Sequence, residues 1–119
     1  MRYANLALAA LLAVSCSTIS CLAGREGGPG VEVTSVVAFG SDTYQVSFVS
    51  EQPASVCVRG DGHTVLRICV YDEYGNLICT NTDDGNGCVL AWTPRWTGSF
   101  TIQVENEGAV DNHYTIDTN

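Results

Sequence analysis

An acidic, glycine-containing stretch supplies the side chains best suited to bind a metal ion. The sequence NTDDGNG at 81–87 offers amide and carboxylate oxygens, and a turn containing Asp61 can reach the same end of the fold. Calcium takes about six to eight oxygen ligands, so it is the cation that such donors would suit. The stretch lacks the regular acid spacing and closing glutamate of an EF-hand loop, and a hairpin turn rich in Asp, Asn and Gly is the alternative. The calcium candidates are Asp61, Asn81, Asp83, Asp84 and Asn86.

Residue types that perform hydrolysis are present, but their spacing does not suggest a catalytic site. A nucleophilic serine or cysteine needs a histidine base within hydrogen-bond reach, and neither His63 nor His113 accompanies a G-x-S-x-G or similar motif. The adjacent acids at 72–73 and 83–84 fit turns, whereas glycosidases need two carboxyls across a sugar-binding cleft. We therefore expect no enzymatic activity, no catalytic residue and no cofactor beyond a possible calcium ion.

Four cysteines follow the N-terminal segment, and their even number predicts disulfide bonds in an exported domain of this size. No C-x-x-C pair is present, which argues against zinc. We predict the pairs Cys79–Cys88, closing the acidic loop, and Cys57–Cys69, joining two neighbouring strands. The second pair requires those strands to form a simple hairpin, because two outward-facing cysteines in different sheets cannot meet.

Two tryptophans bracket the sequence TPR and are the candidates for ligand contact. Trp92 shares the phase of Leu90, which favours a core position. Trp96 falls in a predicted turn, where it either covers an edge of the fold or presents a stacking surface, and its N–H requires a partner in both cases.

The elements that position these residues are short strands with period-two alternation. In LRICVYD, Leu66, Ile68 and Val70 lie on one face and polar residues on the other, and TYQVSF, SFTIQVEN and HYTIDT alternate in the same way. Turn sequences such as EYGN, DDGNG and PRWTG separate the runs. About eight such strands predict an all-β fold, an antiparallel two-sheet β-sandwich of Greek-key or jelly-roll type.

The N-terminal segment predicts export. Arg2 is followed by an apolar run and then small residues, the layout of a signal peptide, and the run is too short to span a membrane. We expect a signal peptide at 1–23, a flexible linker at 24–30 and a single sandwich domain at 31–119. Lipidation of Cys16 or Cys21, which would anchor an envelope lipoprotein, is the alternative.

Charge narrows the set of partners. The chain has 119 residues, a formal net charge of −8 and no lysine, so it offers no basic patch for nucleic acid. We expect a secreted or periplasmic protein whose partner is an extracellular protein or a polysaccharide.

The order of segments from Tyr44 to Asn119 resembles the bacterial pre-peptidase C-terminal domain. The resemblance rests on VRGDGHTVLRICVYDEYGNLI, then an acidic loop, then WTPRWTGSFTIQVENEG and NHYTIDTN. It implies a small secreted β-sandwich, similar to collagen-binding modules of bacterial collagenases and without catalytic activity. His63, Val65 and Arg67 stand where the family's acidic segment would carry acids. The resemblance thus favours a binding or structural module, with a protease-associated inhibitor or chaperone as the alternative.

Overall fold

Alternation of apolar and polar residues produces β-strands throughout the part of the chain that the structure describes. In the computed structural model this part comprises residues 2–4, 24–81 and 87–119, and it contains no helix. Two predicted calcium ligands of the acidic loop, Asp83 and Asp84, lie outside it, as does Asn86. The strands are β1 (Arg2–Ala4), β2 (Gly30–Val36), β3 (Ser41–Phe48), β4 (Ala54–Arg59), β5 (Leu66–Tyr71), β6 (Leu77–Thr80), β7 (Gly87–Trp92), β8 (Gly98–Asn106) and β9 (Asn112–Thr118).

The strands form two sheets that pack face to face. One sheet has the order β1-β3-β8-β5-β6 and the other has the order β2-β9-β4-β7. Every pairing within the sheets is antiparallel except that of β1 with β3, which is parallel. The predicted fold class, an all-β antiparallel two-sheet sandwich, is confirmed.

The core lies between the sheets and is built from alternate residues of each strand. Ile102 and Val104 of β8 oppose Val70 and Ile68 of β5, and all four are buried. Removing such a side chain from water contributes about 1.5–3 kcal/mol, so the central strands supply much of the stability. The buried apolar side chains of the core are Val36, Tyr44, Val46, Phe48, Ala54, Val56, Val58, Leu66, Ile68, Val70, Leu90, Phe100, Ile102, Val104, Tyr114 and Ile116.

A chain of hydrogen bonds joins the sheets inside this apolar layer. The hydroxyl of Tyr114 on β9 donates to Oδ2 of Asp42 on β3 at 2.6 Å and lies 2.5 Å from the hydroxyl of Tyr44. The side chain of Glu32 on β2 also forms a hydrogen bond with the hydroxyl of Tyr44. A buried carboxylate is stable only where hydrogen-bond donors contact it. The tyrosines therefore stabilise Asp42 and also fix the position of one sheet relative to the other.

The segment 24–30, predicted as a flexible linker, lies against the sandwich in the structure. The amide of Val49 donates to the carbonyl of Gly24, and Arg25 forms an isolated antiparallel bridge with Phe48. The backbone amide of Glu26 donates to the carbonyl of Ser47, so this segment extends the edge of β3. Glycines bring its backbone close to the domain: a Cβ on Gly24 would lie 2.2 Å from the carbonyl oxygen of Pro53.

Successive antiparallel strands place the connections alternately at two ends of the sandwich. The Phe39 end carries the connections at 37–40, 60–65 and 107–111, and β6 ends and β7 begins there. The Trp96 end carries the connections at 49–53, 72–76 and 93–97. Asp61, Asn81 and Gly87 therefore lie at the same end.

The hairpin required for the pair Cys57–Cys69 does not form. β4 belongs to the four-stranded sheet and β5 to the five-stranded sheet, so the chain crosses between sheets at 60–65. Cys57 lies opposite the exposed Val89 on one outer face, and Cys69 lies opposite Thr80 on the other. The predicted pairing was wrong on this point, because alternation sets the face of a residue but not its sheet.

Candidate ligand-binding groove

The Trp96 end contains a groove lined mainly by apolar side chains. Its volume is about 350 Å³. β6 and β8 contribute Ile78 and Phe100, and Trp92 closes β7. The connection after β7 supplies the remaining wall, formed by Thr93, Pro94, Arg95 and Trp96.

Trp96 is held in place although it is partly exposed. Its indole N–H donates to Oε1 of Glu73 at 2.7 Å, and its ring centroid lies 6.0 Å from that of Tyr74. Exposure is 39% for Trp96 and 75% for Tyr74. Gly98 allows this arrangement, because a Cβ there would lie 2.9 Å from Oε1 of Glu73 and 3.0 Å from the indole. The two rings form an exposed aromatic surface beside the groove, and the hydrogen bond to Glu73 fixes the indole.

The turn at 72–76 that carries Glu73 and Tyr74 is organised by one carboxylate. Oδ1 of Asp72 accepts hydrogen bonds from the backbone amides of Tyr74 and Asn76, each at 2.9 Å, and Oδ2 accepts from the Asn76 side chain. Burial opposes ionisation, but the hydrogen bonds from Asn76, Tyr74 and Gly75 together outweigh it and lower the pKa of Asp72. Asp72 is thus an ionised acceptor that shapes the turn.

Trp92 forms the inner wall of the groove and joins it to the core. Its ring packs at 4.9 Å from Phe48 and 5.5 Å from Phe100, measured between centroids. Its Nε1 is buried and has no hydrogen-bond partner among the described residues. Sequence phase correctly predicted an inward side chain, and the position at the end of β7 leaves one side of the ring on the groove.

The groove can bind by stacking and apolar contact, with limited polar recognition. Arg95 is exposed at its rim and offers a cation, while the Glu73 carboxylate already accepts from Trp96. Aromatic faces of this kind suit an apolar side chain or the face of a sugar ring. Sequence reasoning identified Trp96 but missed Glu73, Tyr74 and Ile78, because a turn sequence does not show which other turn it meets.

A second groove, of about 440 Å³, lies where β4 and β7 pair near the Phe39 end. It is lined by Cys57, Val58, Arg59, Gly60, Gly87, Cys88 and Val89. It is larger but presents no aromatic ring, so it offers less specific contact than the groove beside Trp96.

Both histidines lie beside the carboxylate of Asp61 in the part of the chain that the structure describes. Asp61 accepts from the backbone amide of His63 at 2.9 Å and of His113 at 2.8 Å, and its Oδ2 lies 3.3 Å from Nδ1 of His63. These amide hydrogen bonds, that of His113 first, lower the pKa of Asp61. Both histidines are exposed, and the carboxylate connects the 60–65 segment to the start of β9.

The calcium candidates within the described residues are engaged in structural hydrogen bonds. The side-chain oxygen of Asn81 accepts from the amide of Ile68 at 2.8 Å, and its nitrogen donates to the carbonyl of Leu66. Asp61 accepts from amides as described above. Within 24–81 and 87–119 no three His, Cys, Asp or Glu side chains cluster closely enough to hold a metal ion. The calcium site at 81–87 stays a prediction.

Two of the four cysteines point into the space between the sheets. Cys79 lies opposite the core residue Val70, and Cys88 lies opposite the core residue Val58, and both pack against the core. Burial, together with the neighbouring thiols of Cys57 and Cys79, raises the pKa of Cys88 to about 11. These four cysteines are free thiols in the structure, and the bond between Cys79 and Cys88 stays a prediction.

No protein-family model and no curated protein sequence matches the chain. Solved structures match its fold. The pre-peptidase C-terminal domain of a collagenase from Bacillus anthracis superposes with a TM-score of 0.61, over 99% of this chain and 93% of that one, at 10% identity. The chain has the fold of that domain. The family resemblance inferred from the order of segments is confirmed at the level of fold.

Two other similar structures are binding proteins by their descriptions. PliG from Aeromonas hydrophila, a periplasmic inhibitor of g-type lysozyme, gives a TM-score of 0.58 at 13% identity, with 80% of this chain and 85% of that chain covered. CorA, a surface-associated copper-binding protein of Methylomicrobium album BG8, gives 0.59 at 9% identity over 75% and 92%. At such identities the likeness shows the fold, which hosts more than one function.

Proposed function

We propose that this chain is an exported, non-catalytic β-sandwich module that binds an extracellular protein through the groove beside Trp96. The observation that carries the proposal is the exposed ring of Trp96, which is fixed by its hydrogen bond to Glu73 and lies between the ring of Tyr74 and an apolar groove. Aromatic residues fixed before binding lose little conformational entropy on association, which is why they are common among residues that dominate binding energy.

The fold supports an exported binding role without specifying the ligand. Among the structures similar in fold, one is the pre-peptidase C-terminal domain of a collagenase and another, PliG, is a periplasmic lysozyme inhibitor, by their descriptions. The described residues include no helix long and apolar enough to cross a bilayer. We propose a secreted or periplasmic location, and mass spectrometry of the mature N-terminus distinguishes a free amine from a lipidated Cys16 or Cys21.

The binding test uses a photoreactive residue beside the groove. Exported protein carrying Tyr74→p-benzoylphenylalanine is irradiated in the cells that produce it, and the crosslinked protein is identified, purified and titrated by calorimetry. We expect Trp96→Ala to weaken binding at least tenfold, whereas Val33→Ala, an exposed change on β2, leaves it unchanged. Equal affinity of the Trp96→Ala protein would rule the groove out. Crosslinking to polysaccharide alone would show that the partner is a sugar polymer and not a protein.

Absence of catalysis is tested separately. Purified protein is incubated with ester, peptide and glycoside substrates, and we expect no turnover above buffer. Hydrolysis that disappears in His63→Ala or His113→Ala would overturn the non-catalytic assignment.

Inhibition of a cell-wall hydrolase is a second candidate, favoured by the net charge of −8 together with the fold shared with PliG. An acidic inhibitor would associate quickly with a cationic enzyme. Residual activity of a g-type lysozyme at increasing concentrations of this protein tests it directly, and unchanged activity removes this candidate without affecting the first.

A further inference from the structure

The opposite end of the sandwich presents a second apolar surface. Phe39 is 73% exposed, and it neighbours Val37 and Val110, which are 61% and 54% exposed. We call these three side chains the Phe39 patch. An aromatic residue with most of its surface in water adds little to the core, so the reason for its presence lies elsewhere.

The backbone at Phe39 is unfavourable for the residue it carries. The turn at 37–40 closes with a hydrogen bond from the amide of Gly40 to the carbonyl of Val37, and Phe39 has φ of 55°. This left-handed conformation suits glycine or asparagine and disfavours a bulky residue. A phenylalanine at this position therefore stabilises the fold neither by burying its ring nor by favouring the backbone conformation.

The turn is nevertheless held firmly by its neighbour. The buried side-chain nitrogen of Asn106 donates to the carbonyls of Val36, Val37 and Val110. The amide of Phe39 donates to the carbonyl of Gly108 at 3.0 Å. The two turns at 37–40 and 107–111 thus form one unit that fixes the Phe39 patch before any partner binds, which lowers the entropic cost of association.

Charge around the patch indicates what would bind it. The carboxylate of Asp111 accepts from the amide of Ala38 at 3.1 Å, and Glu107 lies close by, paired with Arg67 at 2.6 Å. The chain as a whole is acidic and has no lysine. An anionic membrane or a second copy of this chain would be repelled, whereas basic groups around an apolar pocket would be complementary.

We propose that the Phe39 patch is a protein-docking surface, in which Phe39 inserts into an apolar pocket bordered by basic side chains on a partner protein. Phe39 is the anchor, and Val37 and Val110 exclude water around it. The patch lies at the end of the sandwich opposite the groove beside Trp96, so this inference does not depend on the function proposed for that groove.

The experiment compares two residues in the same strained conformation. Glu51 has φ of 62° and is exposed at the Trp96 end, which makes it a matched control for Phe39. Exported protein with p-benzoylphenylalanine at position 39 or at position 51 is irradiated in the producing cells. A protein crosslinked from position 39 and not from position 51 is identified, purified and titrated with the wild type and its variants.

We expect Phe39→Gly to weaken that binding at least tenfold while raising Tm by about 2–5 °C, since glycine relieves the left-handed backbone. Glu51→Gly should raise Tm similarly, and Glu51→Gly and Trp96→Ala should leave this affinity unchanged. Higher salt should weaken binding. The inference is overturned if position 39 crosslinks only to lipid, only to a second copy or to nothing. Unchanged affinity of Phe39→Gly, or a fall in its Tm, also overturns it.

Discussion

The hydroxyl of Tyr114 contacts both Tyr44 and the buried Asp42, so one oxygen atom connects the two sheets. Burial is the main cause that raises the pKa of Tyr114, and the hydrogen bond to Asp42 adds to it. The phenol therefore stays protonated and acts as a donor. Alternation predicted both tyrosines as inward-facing from the sequence. It could not predict their contact, because they lie 70 residues apart and in different sheets.

Replacing Tyr114 by Phe should destabilise the protein. The change removes the donor to a buried carboxylate at a cost of about 1–3 kcal/mol, and each kcal/mol lowers Tm by about 4–8 °C in a domain of this size. Differential scanning calorimetry measures the shift. Tyr74→Phe, on an exposed ring, should leave Tm unchanged, and equal Tm values for the two variants would refute the role given to the buried hydroxyl.

At the scale of strands, the sequence determined which residues face inward but not which strands become neighbours. LRICVYD was correctly predicted as a strand with its apolar face inward and forms β5, and β4 likewise turns Val56 and Val58 inward. Their assignment to different sheets depends on long-range pairing, since β4 pairs with β7 and β9 while β5 pairs with β6 and β8. The groove beside Trp96 was partly missed for the same reason, as its walls come from distant turns.

The strand arrangement predicts one disulfide and two thiols. Cys79 and Cys88 face the space between the sheets where the edge strands β6 and β7 meet, whereas Cys57 and Cys69 lie on opposite outer faces. In the loop-entropy model a Cys79–Cys88 bond contributes about 2–3 kcal/mol. Alkylation followed by non-reducing peptide mapping should find that bond, with Cys57 and Cys69 alkylated. A Cys57–Cys69 peptide would contradict the sheet order.

On the scale of the whole molecule, the ionisable groups limit stability at both extremes of pH. Asp61 and Asp72 have lowered pKa values through hydrogen bonds from amides and, for Asp72, from the Asn76 side chain, with burial opposing the shift at Asp72. Tyr44 and Tyr114 have pKa values raised mainly by burial. A carboxyl group whose pKa is lowered by folding adds stability that is lost as the pH falls below its unfolded pKa of 3.8. A phenol whose pKa is raised by folding adds stability that is lost as the pH rises above its unfolded pKa of 10.0.

The free energy of unfolding should therefore be nearly constant between about pH 5 and pH 9 and should decline outside that range. Urea denaturation at intervals from pH 2 to pH 11 measures it. In Tyr114→Phe the decline above pH 10 should be shallower than in the wild type. A wild-type stability that rises from pH 9 to pH 11 would contradict the protonated state assigned to the buried tyrosines.

Calcium should change stability little. Asp61 and Asn81 already accept hydrogen bonds from amides, and the acids expected between Gly62 and Ile68 are replaced. Melting temperatures in calcium and in chelator should agree within about 2 °C. A shift of about 8 °C that disappears in Asp83→Asn with Asp84→Asn would instead establish a site at 81–87.

The pairing of β2 with β9 along all seven of their residues has a consequence for the order of events in the cell. β9 lies between β2 and β4, so these two strands cannot be joined in one sheet until residues 112–118 have been synthesised. Contacts between such distant parts of a chain form slowly. A nascent chain that ends before residue 112 therefore cannot complete the four-stranded sheet, because β2 and β4 then have no strand between them.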